Sequence, residues 1–259
     1  MSQNQSSPTA TTDHAGLDQD QLDAFWRDGY LPLGKLLDDD HLATMRPVYD
    51  QTLKEAEAAK QTRTLRAGRD EASQQRSITQ LTNAYRHHIG FMQLLYHAPI
   101  LDAVESIIGP NIMLFHDQVL YKPPHTGSAV PWHQDNAYWK LRPANAVSCW
   151  LTLDDVDRDN GAMQVIPGSH LHPRRHGHAD SDVFLSIDDV DQTRATVVDL
   201  PAGGAMLHHC QTLHHTQPNV TDRPRRAFAI HFMTMGTRRD DDDQPLRVGW
   251  EHPILRARL

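Results

Sequence analysis

The chain has 259 residues with 39% hydrophobic and 22% charged side chains, a composition suited to one large soluble domain with a full core. Its formal net charge of −8 argues against nucleic-acid phosphates or an anionic membrane as the main partner, while leaving local basic clusters free to bind a small anion. Cys149 and Cys210, the only cysteines, sit beside core-like residues and read as reduced thiols, and the polar N-terminal stretch and absence of a long apolar run give no signal peptide and no bilayer span, so the expected location is cytoplasmic.

Residues 1–16 are rich in Ser, Thr and Gln and are expected to form a disordered tail, followed by a single domain over 17–259. Within that domain a helical part spans about 17–110. Asp18 to Arg27 reads as a helix: Asp18 with Gln21 makes a capping-box pattern, Leu22, Phe25 and Trp26 form its apolar face, and Gly29 ends it. Tyr30 to Leu33 follows as a strand. A second helix starts near Asp39 and carries Leu42, Met45, Tyr49 and Leu53 at helical spacing, with Pro47 expected to bend it or shift its start. Residues 60–78 are polar, hold Lys60, Arg63, Arg66, Arg69 and Arg76 with few apolar anchors, and are expected to be mobile. A further helix runs from about Pro99 to Ile108, where Gly109 stops it.

From Asn111 the texture changes to short strands broken by Pro, Gly, Asn and Asp, at 112–121, 129–134, 145–153, 162–166, 183–187, 195–199, 204–209 and 225–234. Many short strands without intervening helices predict a mainly β fold with flanking helices, its core over about 111–235 a double-stranded β-helix, or jelly roll. The aspartates at 240–243 read as a solvated turn.

Alternation along 225–234 puts Arg225, Ala227, Ala229, His231 and Met233 on one face, with Phe228, Ile230 and Phe232 on the other. Two alanines beside Arg225 leave room for a carboxylate, which a guanidinium binds through parallel hydrogen bonds. Along 145–153 the same parity separates Ala146, Ser148, Trp150 and Thr152 from Val147, Cys149, Leu151 and Leu153.

The sharpest chemical signal is His133-Gln134-Asp135, an imidazole and a carboxylate projecting to one side of a strand end. Two histidines and one carboxylate form the facial ligand set of non-haem iron oxygenases. His178-Ala179-Asp180 has the same spacing but lies in a polar, His-rich stretch that reads as an exposed loop, whereas His133 is flanked by Trp132, Tyr138 and Trp139. For the second imidazole, His208, His209, His214 and His215 all compete, and spacing alone does not choose.

Four blocks then resemble the phytanoyl-CoA dioxygenase family, a branch of the Fe(II)/2-oxoglutarate oxygenases. They are Lys122-Pro123-Pro124 before Trp132-His133-Gln134-Asp135; Cys149 to Asp155 leading into Asn160-Gly161-Ala162; Ile166-Pro167-Gly168-Ser169-His170; and His214 to Thr221 followed by Arg225-Arg226-Ala227. The opening stretch Asp23 to Leu33 is similar as well, so the resemblance covers roughly residues 17–235.

This resemblance implies that Fe(II) is held by His133, Asp135 and His214, the last picked out by the family's spacing to Asn219, with His215 as its rival. It implies 2-oxoglutarate as co-substrate, its distal carboxylate on Arg225 and its pocket lined by Lys122, Trp150 and, by strand parity with Lys122, Gln118. O2 is the oxidant, and succinate and CO2 are products. An aspartate at position 135, where related halogenases carry a small residue, favours hydroxylation or another oxidation without halide. Asn136, Tyr138 and Trp139 are expected on the side of a small-molecule substrate, and Arg63, Arg66 and Arg69 suggest an anionic group on it. The competing reading is a cupin-like metal-dependent oxygenase acting without 2-oxoglutarate; oligomeric state and substrate identity are not legible.

Overall fold

A computed structural model of the chain describes residues 16–178, 183–241 and 244–258. Apart from Gly16, the expected N-terminal tail lies outside these residues, as do Asp180, Asp242 and Asp243.

Helix α1 (Gln19–Asp28) begins at the Asp18 cap, where the full capping box with Gln21 forms, and ends at Gly29 in the left-handed conformation. Strand β1 (Tyr30–Lys35) leads to α2 (Asp39–Ala58), capped by Asp38. Pro47 neither breaks this helix nor shifts its start, because residues buried on both sides of it, Leu42 and Met45 before, Tyr49 and Leu53 after, hold both halves to the core. Residues 60–78 differ from expectation. They form β2 (Arg63–Leu65) and the one-turn helix α3 (Glu71–Gln74), and β3 (Ile78–Thr82) pairs antiparallel with β2. β2 is an edge strand with two exposed polar side chains, so the stretch offers few apolar anchors and reads as loop. Helices α4 (Ile89–Leu95) and α5 (Ala98–Ile108) complete the helical layer.

The β-rich part consists of β4 (Ile112–Lys122), β5 (Val130–His133), a short helix α6 (Asn136–Trp139), β6 (Leu141–Arg142), β7 (Val147–Thr152), β8 (Met163–Val165), β9 (Gly177–His178), β10 (Leu185–Ser186), β11 (Thr196–Val198), β12 (Gly204–His209), β13 (His214–Thr216), β14 (Arg225–Thr234), β15 (Arg238–Arg239) and β16 (Ile254–Arg256). The major antiparallel sheet runs β1-β12-β7-β14-β4-β3-β2, with β16 also on β4, and the minor sheet runs β11-β8-β13-β5. Together they make the jelly roll. Strands from before residue 111 and after residue 235 extend the major sheet beyond the core that the sequence delimits.

The parity read for β14 and β7 is observed. Phe228, Ile230, Phe232, Val147, Cys149 and Leu151 face outward into the main core, which Phe25, Leu42, Tyr49, Phe91 and Val104 cover from the helices. The opposite face turns between the sheets, where Trp150, Ala227 and Ala229 meet Met163, Val165 and Val198. Burying large aliphatic and aromatic groups outside and small ones inside leaves space within the roll. Among the described residues no helix is long and apolar enough to cross a membrane.

Candidate metal centre and co-substrate pocket

Strands β5 and β13 pair antiparallel with His133 directly opposite His214, which brings the two rings to 4.1 Å between centroids. Asp135 joins them by a different route from strand alternation. The chain leaves β5 after His133, Gln134 turns outward to donate to the Gln211 carbonyl at 2.7 Å, and Asp135 takes helical backbone at the head of α6. Its Oδ1 then lies 3.6 Å from His133 Nε2 and 3.7 Å from His214 Nε2, too long for hydrogen bonds.

The ring protons are accounted for elsewhere: His133 Nδ1 donates to the Pro131 carbonyl at 2.8 Å and His214 Nδ1 to the Thr212 carbonyl at 2.9 Å. Each ring therefore turns its Nε2 toward the site. These nitrogens converge with a carboxylate oxygen, and candidate ligand atoms of the three residues lie within 4.8 Å of one another. Burial, and the neighbouring His133, drive the His214 imidazole well below its usual range, so it is neutral. Burial works to raise the Asp135 carboxyl, but the imidazoles of His214, His133 and His208 around it hold it well below the usual range and it stays ionised. Two imidazole nitrogens and one carboxylate oxygen converging in one buried place suit Fe(II).

Three further histidines compete for this place by spacing. His215 Nδ1 bonds the Val130 carbonyl at 2.7 Å and its ring stacks on Trp132. His209 is turned toward Trp26 and His170. His208 reaches the site, but with its Nε2 3.2 Å from Asp135 Oδ2, the oxygen facing away from His133 and His214. Of the decoy pair, His178 is exposed on β9 and Asp180 lies outside the described residues.

These residues open into a cavity of about 320 Å³ that also touches Gln118, Trp150, Arg225, Tyr138 and Trp139. Arg225 is 2% exposed, yet its Nε has no partner and its Nη1 reaches only the Leu120 carbonyl at 3.4 Å. Trp150 lies against it, the guanidinium carbon 5.6 Å from the indole centroid. Burial lowers the guanidinium to about 10, so it remains a cation at neutral pH. A buried, under-bonded guanidinium on a cavity wall matches a carboxylate of a bound molecule.

Two expected residues are placed otherwise. Lys122 does not line the cavity; its Nζ donates to Thr216 Oγ1 at 2.7 Å and to the Gln217 carbonyl, because the inward face of β4 runs past the cavity to that turn. Asn136 instead braces the α6 turn, accepting from Leu141 N–H at 2.9 Å and donating to its carbonyl at 3.3 Å. Tyr138 and Trp139 do line the cavity, and the Tyr138 hydroxyl ties α6 to β10 through Leu185 N–H at 2.7 Å. Of the arginines at 60–78, Arg63 is on the cavity lining with Leu65 and Ile78, while Arg66 Nε is bonded to the Gln74 carbonyl at 3.2 Å. Ser148 and His231, which sequence reasoning did not single out as site residues, join His208 beside Asp135; only the strand parity placing them inward pointed to them.

Residues 25–227 match the family model for phytanoyl-CoA dioxygenase (PhyH). The chain is 35% identical over 144 residues to the peroxisomal phytanoyl-CoA dioxygenase of Bos taurus, a match covering 51% of this chain and 43% of that protein. Its fold is similar to a crystal structure of the epimerase SnoN in complex with Fe3+, alpha ketoglutarate and nogalamycin RO, with a TM-score of 0.75, 23% identity, and coverage of 92% of this chain and 98% of that one. It is also similar to EvdO2 from Micromonospora carbonacea var. aurantiaca complexed with 2-oxoglutarate, with a TM-score of 0.65, 26% identity, and coverage of 88% and 95%. The converging His133, Asp135 and His214 and the buried Arg225 all fall inside the matched span, and with it the chain belongs to the phytanoyl-CoA dioxygenase family.

Proposed function

We propose that residues 17–259 form one Fe(II)- and 2-oxoglutarate-dependent dioxygenase domain that hydroxylates a small-molecule metabolite in the cytoplasm. The observation carrying this reading is the presence, on one cavity, of three convergent buried ligand atoms and an under-bonded buried guanidinium. His133, Asp135 and His214 hold the iron, and Arg225 holds the distal carboxylate of 2-oxoglutarate. Its likeness to EvdO2, whose structure contains 2-oxoglutarate, supports that co-substrate.

Bound there, iron with 2-oxoglutarate and O2 supplies the oxidising power, the co-substrate leaving as succinate and CO2. The chain's own residues bind and orient. His133 and His214 keep Nε2 free because their Nδ1 protons are committed to backbone carbonyls. Arg225 and Trp150 fix one end of the co-substrate, while Gln118 and Ala229 shape the wall beside it. Tyr138 and Trp139 on one side, and Leu65, Ile78 and Phe184 on the other, exclude water from the reacting carbon. Arg63 at the same lining favours an anionic group on the substrate.

The test is aerobic incubation with iron and 2-oxoglutarate, scored by succinate release. Slow substrate-independent succinate formation, lost in Asp135→Ala and stimulated by the true substrate, is expected. Full turnover without 2-oxoglutarate would overturn the reading in favour of a metal enzyme that oxidises its substrate directly.

A further inference from the structure

Pairing in the major sheet aligns one inward polar row across four strands. His116 of β4 lies opposite His231 of β14, His231 opposite Ser148 of β7, and Ser148 opposite His208 of β12. The row lies directly under Asp135. Ser148 Oγ is 3.2 Å from Asp135 Oδ2 and 2.7 Å from His231 Nδ1. On the far side of that ring, His231 Nε2 is 3.0 Å from Gln118 Nε2, and Gln118 Oε1 is 2.5 Å from Gln80 Nε2.

The direction of every bond in this chain follows from its carboxylate end. Ionised Asp135 can only accept, so the single hydroxyl hydrogen of Ser148 points to Oδ2. Ser148 must then accept from His231, which places the ring proton on Nδ1 and leaves Nε2 bare. A bare Nε2 needs a donor, and the Gln118 amide nitrogen supplies it, while Gln118 Oε1 accepts from Gln80. Each donor thus points the same way, Gln80 to Gln118 to His231 to Ser148 to Asp135. His208 Nε2 adds a second donor to the same oxygen at 3.2 Å. Two donors on Oδ2 turn Oδ1 toward His133 and His214, at 3.6 and 3.7 Å.

We propose that His231 is a positioning residue for the metal-binding carboxylate: held as its Nδ1–H tautomer by Gln118, it commits the Ser148 hydroxyl to Asp135 Oδ2 and presents Oδ1 alone to the ion. This rests on the reading of His133, Asp135 and His214 as a metal centre. His231 is 2% exposed, and its Nδ1 reaches Asp135 through Ser148. With the ring proton on Nε2 instead, a bare Nδ1 would compete with Asp135 for the Ser148 hydroxyl, and with no imidazole at 231 nothing fixes the direction of that hydroxyl. The carboxylate then loses a fixed donor and rotates more freely about its terminal bond. Outer hydrogen-bond partners of metal ligands typically contribute about 10- to 100-fold in metal affinity.

The experiment is titration of the metal-free protein with Co(II) alone, followed by its visible absorption, with no 2-oxoglutarate and no turnover. Ser148→Ala and His231→Leu are each expected to bind Co(II) about 10- to 100-fold more weakly than wild type, and the double variant no more weakly than the poorer single one, since both cut the same path. His231→Asn, whose amide nitrogen takes the place of Nδ1–H, should stay within about threefold of wild type. Circular dichroism and the melting temperature of the metal-free proteins establish that each variant is folded; should His231→Leu not fold, Ser148→Ala and His231→Asn decide. Wild-type affinity in Ser148→Ala, or a loss in His231→Asn equal to that in Ser148→Ala, overturns the proposal while leaving the metal centre intact. No Co(II) binding by the wild type, or undiminished binding by Asp135→Ala, overturns both.

Discussion

Arg225 and Lys122 lie directly opposite each other in the pairing of β14 with β4, two basic side chains on one buried face with neutral oxygens as their partners. Like charges in cross-strand register oppose each other. Burial, and then the Arg225 charge, push the Lys122 amine well below its usual range. A bound dicarboxylate relieves the positive potential that remains. Arg225→Ala is therefore expected to weaken 2-oxoglutarate binding by about 100-fold or more, because removing one partner of a buried charge pair costs several kcal/mol. Metal affinity should be unchanged. Calorimetry of the Co(II)-loaded protein measures it, and wild-type affinity for 2-oxoglutarate in Arg225→Ala would remove the co-substrate assignment. Arg225→Lys should recover only part, since an ammonium cannot make the parallel pair of bonds.

His214 and His215 separate cleanly by experiment. His214→Ala should abolish stoichiometric metal after reconstitution with Fe(II) under anaerobic conditions. His215→Ala should keep about one ion per chain and lose on the order of 1 kcal/mol of stability, through its stacking on Trp132 at 4.9 Å between centroids. Elemental analysis and thermal melting report the two. The reverse pattern would move the ligand to His215.

Asp117 gives a pH signature on the face of β4 opposite His116 and Gln118. Burial raises its carboxyl to about 7 from 3.8, outweighing the hydrogen bond it accepts from Tyr85 N–H at 3.2 Å. Between those values the folded chain holds the proton and the unfolded chain has released it. The stabilisation is complete below about pH 4 and is lost as pH rises through 7. Asp117→Asn, neutral throughout, should flatten the fall in stability between pH 5 and 8 and leave the protein more stable at pH 8 by on the order of a few kcal/mol. Denaturant melts at several pH values test this; parallel curves for variant and wild type would refute it.

Gly161 adopts φ +94°, and a Cβ there would come within 2.9 Å of the Gln217 carbonyl oxygen and 3.0 Å of Lys122 Nζ. The residue is Gly because Lys122 must reach the Thr216–Gln217 turn through the space a side chain would fill. Gly161→Ala should cost about 1–3 kcal/mol and lower the melting temperature by several degrees, seen by calorimetry. An unchanged melting temperature would show that the turn yields without strain.

Much of this was legible in the sequence, for physical reasons that differ by residue. The alternation of β14 showed which side chains face inward, because Phe228, Ile230 and Phe232 can only be accommodated in the main core while Ala227 and Ala229 make room. His133-x-Asp135 was legible as a pair, though helical backbone at Asp135 joins them rather than strand parity. The choice of His214 was not legible from composition or spacing, since it depends on the β5–β13 register, a pairing between distant segments. Lys122 was read with the correct parity and the wrong depth, as parity says which face and nothing of how far along the sheet a cavity extends. β2 and β3 were missed because Arg63, Thr64, Thr79, Gln80 and Thr82 leave too few apolar positions for an alternation to show. The row of His116, His231, Ser148 and His208 comes from four strands and exists only once they are aligned.

The pairing of β5 with β13 has a consequence beyond geometry. The short ladder is irregular between His214 and Thr216, and β5 is the outermost strand of the minor sheet. An ion bound by His133 and His214 works as a removable cross-link across that ladder, with Asp135 fastening the following turn to the same point. Local opening of this edge is then coupled to metal activity by mass action. Chelation should loosen the β5 edge and the α6 turn before the major sheet responds, making the centre a fastener whose strength the surroundings set.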